Sequence, residues 1–250
     1  MKQDYWQTFY ENSFYHVYNR VTHKELLFKD YSDRQFFLKQ WDILLGSYVD
    51  TYSYCLMSNH FHFVIKVKEP DADYWECVKT EKTVAANAYL SDEIDINRFL
   101  EDQYKRFFSS YANKYNSKYE RHGSLFQKRF KRVELPTLLS ILNKICYVHH
   151  NPIHHHVETN YEAWEFSSYK AYILDKPTKI CKHEGLILFS DKMSIEFFKN
   201  LLKPYLITSL MTFSMLSTTS NQAVSLSGKE LIGTPLDGKA CCLAKSNLVH

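Results

Sequence analysis

The chain is predicted to be an α+β protein, an antiparallel sheet with helices packed on it. Apolar residues alternate in the β manner over residues 13–21, 51–57 and 61–67, and recur at helical spacing over 32–45, 96–117 and 136–151. The resulting order, strand, helix, strand, strand, helix, is that of a sheet whose faces need helical cover. A length of 250 residues allows one sizeable domain or one domain with an appendage, and 45% hydrophobic with 16% aromatic content is ample for a core. Disorder throughout is excluded.

Taken in order, residues 1–12 form an N-terminal extension and 13–21 a first strand. Residues 32–45 form an amphipathic helix whose apolar face is Phe36, Phe37, Trp41 and Leu44. Residues 51–57 and 61–67 pair as consecutive strands, which makes them antiparallel. Residues 69–95 are polar and irregular in pattern, an insertion loop or partly disordered link. Helix 96–117 offers Phe99, Tyr104, Phe107, Phe108 and Tyr111 for packing. In helix 136–151, Pro136 suits the first turn, Leu138, Leu139, Leu142, Ile145 and Cys146 line one side, and Pro152 is expected to stop it. The helices are expected on one face of the sheet. The main domain is placed at 13–172 and a helical extension at 173–203; 204–250, dominated by Ser, Thr, Gly and Asn, reads as a divergent, poorly ordered tail.

The most informative residues lie in the strand His60-Phe61-His62-Phe63. Side chains alternate across a strand, so His60 and His62 share one face and the two phenylalanines the other. The pair is either a metal-binding couple or the polar face of a half-buried strand. On helix 136–151, Tyr147 and Asn151 stand about one turn apart on a common face and could converge on such a metal; alternatively Tyr147 is a core aromatic and Asn151 a C-cap before proline. His149, His150, His154, His155 and His156 form either a metal cluster or a basic, phosphate-facing loop.

A net charge of +3 does not by itself point to nucleic acid. Its distribution does: Lys114, Lys118, Arg121, Lys128, Arg129, Lys131 and Arg132 face the single acid Glu120, with Tyr115, Tyr119, Phe126 and Phe130 interleaved. Cations neutralise phosphates and aromatics stack on exposed bases, the composition of a single-stranded nucleic-acid surface. Lys128, Arg129, Lys131, Arg132 and Arg121 are the candidate backbone contacts, and Phe126 or Phe130 the candidate stacking platform. The six cysteines form no C-x-x-C pair and read as reduced thiols. The first residues lack an apolar signal-peptide core, and the apolar run at 205–216 falls well short of a spanning helix. The expected location is the cytoplasm, nucleoid-associated when acting, with no membrane partner.

Five motifs in order resemble the single-tyrosine HUH transposases, and within them the REP-associated tyrosine transposase branch. They are Phe14-Tyr15-His16-Val17-Tyr18-Asn19-Arg20, the Met57-Ser58-Asn59 lead into His60-Phe61-His62, the run Gly123 to Arg132, Tyr147-Val148-His149-His150-Asn151-Pro152, and Trp164-Glu165-Phe166-Ser167-Ser168-Tyr169. The resemblance implies a ferredoxin-like domain with the two histidines on a central strand. It further implies Mg²⁺ or Mn²⁺ held by His60, His62 and Asn151, and Tyr147 as the nucleophile. The implied activity is DNA transposition: single-stranded DNA with hairpin or palindromic repeats is cleaved and rejoined through a 5′-phosphotyrosine, by a monomer or a homodimer. Two alternatives remain, a non-catalytic module that binds structured DNA or RNA and a metal-dependent phosphodiesterase that uses water. Tyr111 and Tyr115 are rival tyrosines at helical spacing, without the Asn-Pro partner, and are expected to pack.

Overall fold

The computed structural model describes residues 4–22, 25–174 and 178–188. Strand β1 (Phe14–Arg20) is followed by helix α1 (Tyr31–Leu45) and the strands β2 (Val49–Leu56) and β3 (His60–Val67). Then come α2 (Ala72–Thr80), α3 (Val84–Leu90), α4 (Ile96–Lys118), β4 (Lys131–Glu134), α5 (Leu138–His154), α6 (Tyr169–Ile173) and α7 (Lys182–Ile187). The sheet order is β2-β3-β1-β4 with every neighbouring pair antiparallel. That β-α-β-β-α-β arrangement, with β3 inserted between β2 and β1, is the ferredoxin-like topology.

Alternation along β3 builds two cores. Phe61, Phe63, Ile65 and Val67 are fully buried against α1 and α4. Trp41 of α1 stacks on Phe63 with ring centroids 3.7 Å apart. Val64 joins the opposite cluster with Ile141, Ile145 and Val148 of α5. Helices therefore cover both faces, not one: α5 packs on β2 and β3 from the side opposite α1 and α4. The reason is in α5 itself, whose apolar stripe matches the second cluster, while the aromatic stripe of α4 is already spent on α1 and the phenylalanines. Trp41→Ala should lower unfolding free energy by about 3–5 kcal/mol, the cost of emptying a large aromatic site; urea denaturation measures it.

Two further expectations need correction. Residues 69–95 are not an irregular link: α2 and α3 start at capping residues Asp71 and Thr83 and bury Tyr74, Val78, Ala86 and Tyr89. Both helices are too short to show a sustained period. Pro152 does not stop α5, which runs on to His154. A proline lacks the N–H that would serve the Val148 carbonyl, and the Asn151 side-chain amide takes that place at 3.4 Å, besides donating to the Tyr147 carbonyl at 2.8 Å. The basic segment ends in β4, a strand of four residues.

Both outer edges of the sheet are closed by neighbouring chain. Beside β4, the Arg132 N–H donates to the Tyr5 carbonyl at 2.8 Å and the Glu134 N–H to the Gln7 side chain. Beside β2, the Leu56 N–H donates to the Phe166 carbonyl, the Ser168 N–H to that of Tyr54 and the Cys181 N–H to that of Thr51. The expected tail 204–250 and most of the extension 173–203 lie outside the described residues. Among those described, no helix is long and apolar enough to cross a membrane.

Candidate active site

The register of β1 against β3 sets Tyr18 beside His62 and Arg20 beside His60, and that of β4 against β1 sets Lys131 beside Tyr18. Paired residues on neighbouring strands point to the same face. The face carrying the two histidines thus also carries His16, Tyr18, Arg20 and Lys131. Helix α5 lies over part of it and brings Tyr147 to the imidazoles. The Tyr147 ring centroid is 5.6 Å from His62 and 6.0 Å from His16.

Each histidine is held through its Nδ1. The Nδ1–H of His60 donates to Asn59 Oδ1 at 2.6 Å, and Nδ1 of His62 lies 2.9 Å from Nε2 of His16 in a buried hydrogen bond. Such partners fix ring orientation and leave Nε2 available. Burial keeps both rings neutral: the His60 pKa falls to about 4, with His155 and Arg20 adding to desolvation, and that of His62 lies well below the ordinary value. Asn151 is fully buried; its carboxamide lies close enough to His60 to favour the ring's charged form, yet its Oδ1 has no hydrogen-bond partner. A neutral imidazole and an unpartnered carbonyl oxygen therefore lie side by side. Two lone-pair groups brought together in a buried place are costly unless a cation or proton joins them. The donor set, two imidazoles and one carboxamide oxygen, fits a divalent ion that tolerates nitrogen, Mn²⁺ more readily than Mg²⁺.

The nucleophile candidate is half-buried, and desolvation followed by the neighbouring Cys55 raises its pKa. Lys144, one turn earlier on α5, holds its ammonium 4.5 Å from the Tyr147 ring centroid, and burial lowers its pKa. Its charge acts on the histidines, helping to lower the pKa values of His16 and His62.

His60, His62, Asn151 and Tyr147 are thus brought together. Of the other candidates, Lys128 and Arg129 are exposed, Arg129 beside Trp6, and Lys131 is half-buried on the face of the site. Three are placed differently. Arg132, next in the alternation of β4, turns to the opposite face, is 5% exposed and pairs with Glu101 at 2.5 Å. Arg121 pairs with Glu25 at 2.6 Å and donates to the Gly123 and Ser124 carbonyls, so it holds its own loop. Phe126 is in the core against Phe61 and Phe108, where no base can stack on it. Tyr111 and Tyr115 pack as expected, their hydroxyls donating to the Leu27 and Leu26 carbonyls.

The histidines after Tyr147 disperse. His149 bonds Ser168 and His150 bonds Tyr161, while the His155 ring stands 5.0 Å from His60. Among the described residues no group of three or more His, Cys, Asp or Glu side chains converges on a metal position. Sequence reasoning missed His16, Tyr18, Asn59 and Lys144. The first two carried a usable signal, since His16, Tyr18 and Arg20 alternate in β1 as His60 and His62 do in β3.

No protein-family model matches the chain, and no curated protein matches it. A solved structure to which it is similar is described as "Structure of the REP associates tyrosine transposase bound to a REP hairpin". The likeness covers 69% of this chain and 86% of that one, at 12% identity and a TM-score of 0.45. At that distance it assigns no chemistry, and the residues described above carry the reading of the site.

Proposed function

We propose that the chain is a DNA strand transferase that cleaves and rejoins single-stranded DNA at hairpin-forming repeats, with Tyr147 as the nucleophile. One observation carries the reading: a half-buried tyrosine stands beside a pair of neutral, oriented imidazoles, with the unpartnered Asn151 oxygen next to His60. DNA as the substrate is supported by Lys131 on the face of the site and by the exposed cations Lys128 and Arg129 before it in the chain, which suit a phosphate backbone.

His60, His62 and Asn151 would hold a divalent ion, Mg²⁺ or Mn²⁺, which when bound supplies Lewis-acid polarisation of the scissile phosphate. The Tyr147 oxygen attacks phosphorus, its O–P bond forms, and the bond to the 3′ oxygen breaks. The phenol proton is released as the departing 3′ oxygen takes one up, so the step is proton-neutral. Lys144 stabilises the phenolate character that develops on the way. The product is a 5′-phosphotyrosine and a free 3′-hydroxyl; attack by another 3′-hydroxyl reverses the step and rejoins a strand with no nucleotide cofactor.

The test is incubation of the full chain and Mn²⁺ with end-labelled hairpin DNA carrying single-stranded flanks, resolved on a denaturing gel. A covalent protein–DNA band supports the proposal. Bound but uncut DNA would replace it with a binding module, and cutting without a covalent band with a nuclease that uses water. Asn151→Ala should weaken Mn²⁺ binding by about tenfold or more, read by calorimetric titration of the protein without DNA; unchanged affinity would remove Asn151 from the donor set.

A further inference from the structure

The sheet face that carries His62 continues past the site. On it, Tyr18 lies with its ring centroid 5.6 Å from His62, and Lys131 Nζ sits between two rings, 5.5 Å from the centroid of Tyr18 and 5.0 Å from that of Tyr5. Next to Tyr5, Trp6 bridges to Arg132 at the edge of the sheet; it is 44% exposed, and its ring centroid lies 6.4 Å from that of Tyr5 and 5.6 Å from the Arg129 guanidinium. Rings and cations are interleaved along this strip, from Tyr147 through His62, Tyr18, Lys131 and Tyr5 to Trp6 and Arg129. Helix α5 is seated on β2 and β3, and on the outer part of the face Tyr5, Tyr18 and Lys131 stay half-buried while Trp6 is exposed.

Several features separate the strip from ordinary surface. Arg129 holds a left-handed backbone, φ 61°, that only a minority of non-glycine residues adopt. Lys131 has no carboxylate partner among the described residues, whereas its neighbour Arg132 is paired inward with Glu101. Burial, and after it Tyr5 and Tyr147, push the Tyr18 pKa up to about 12, so the three tyrosines are electrostatic neighbours.

We infer that this strip is the track for the single-stranded DNA leading away from the cut. Unstacked bases lie against Tyr5, Trp6 and Tyr18, and phosphates lie against Lys131 and Arg129. The charge sign and the interleaving of rings with cations select a single strand over a protein surface or a duplex, whose bases are already stacked. The inference rests on the proposed function for the location of the cut, and not for the binding itself.

The probe is a fluorescein-labelled hairpin with a single-stranded arm of about ten thymidines, a length in the range such surfaces cover. Its binding is followed by fluorescence polarisation in EDTA, so that cutting plays no part. Tyr5→Ala and Trp6→Ala should each weaken binding about tenfold, with unchanged thermal melting. Both losses should disappear when the hairpin has no arm. Removing bases from the arm should weaken binding to the native chain, and should add nothing once the facing ring is gone, because the two changes delete one contact. Lys131→Ala and Arg129→Ala should each reduce the salt slope by about one phosphate contact. Equal losses with and without the arm, or no loss at all, would overturn the track. Arm-dependent losses in a protein that yields no covalent band would keep the track and dismiss the strand-transfer reading; a covalent band with arm-independent binding would do the reverse.

Discussion

Tyr147→Phe is expected to abolish the covalent protein–DNA band, with a rate loss on the order of 10⁴-fold or more, as when a nucleophile is deleted from other covalent enzymes. The substitution is clean because the ring keeps its contacts: the edge against His62, the ring against His16 and the Lys144 ammonium above it. Only the hydroxyl goes, and hairpin binding in EDTA should persist. The other hydroxyls nearby do not compete equally. Tyr111 and Tyr115 spend theirs on backbone carbonyls across the aromatic core. Tyr18 is the nearest substitute, and burial pushes its pKa up to about 12. A band that survives Tyr147→Phe and vanishes in Tyr18→Phe would move the nucleophile to β1.

Acid should unfold this protein early. His16, His60, His62, His149 and His150 all have pKa values lowered in the folded state, desolvation being the largest cause; His149 falls to about 3, and His60 and His150 to about 4. In the unfolded chain each returns to about 6.5. Between those values the unfolded state binds more protons, so the stability that these rings contribute is fully present above about pH 6.5 and is lost as pH falls toward the folded values. At about 1.4 kcal/mol per unit and site over about two units, His60, His149 and His150 alone should lose roughly 8 kcal/mol by pH 4.5, which rivals the stability of a whole domain. Urea midpoints in EDTA at pH 7.5, 6 and 4.5 measure it, and EDTA keeps metal release out of the comparison. A midpoint that is flat or higher at pH 4.5 would show that these rings are already protonated or solvated in the native protein.

The legible and illegible parts of this chain divide along one physical line. His60 and His62 share a face because the strand period is two, and Tyr147 and Asn151 share one because the helix period is near four; neither needs tertiary knowledge. The side of the sheet on which α5 lands does need it, since that depends on which apolar stripe the other helices have already covered. Charge likewise does not say which way a side chain points. Arg129 and Arg132 look alike in the sequence, but one is exposed beside Trp6 and the other is locked to Glu101. The continuation of α5 through Pro152 depends on a single side-chain amide serving the Val148 carbonyl, a local repair that a rule about proline cannot foresee.

The two closed edges of the sheet limit how copies of this chain can assemble. Tyr5 and Gln7 take the hydrogen bonds that β4 would offer a partner strand, and Phe166, Ser168 and Cys181 take those of β2. A second molecule can extend this sheet only by first displacing one of those segments, and at the β4 edge that segment carries Tyr5 and Trp6. Strand-to-strand dimers and an intact outer strip are thus mutually exclusive at that edge, so a pair of chains that both keep it must meet through the β2 edge, helices or loops.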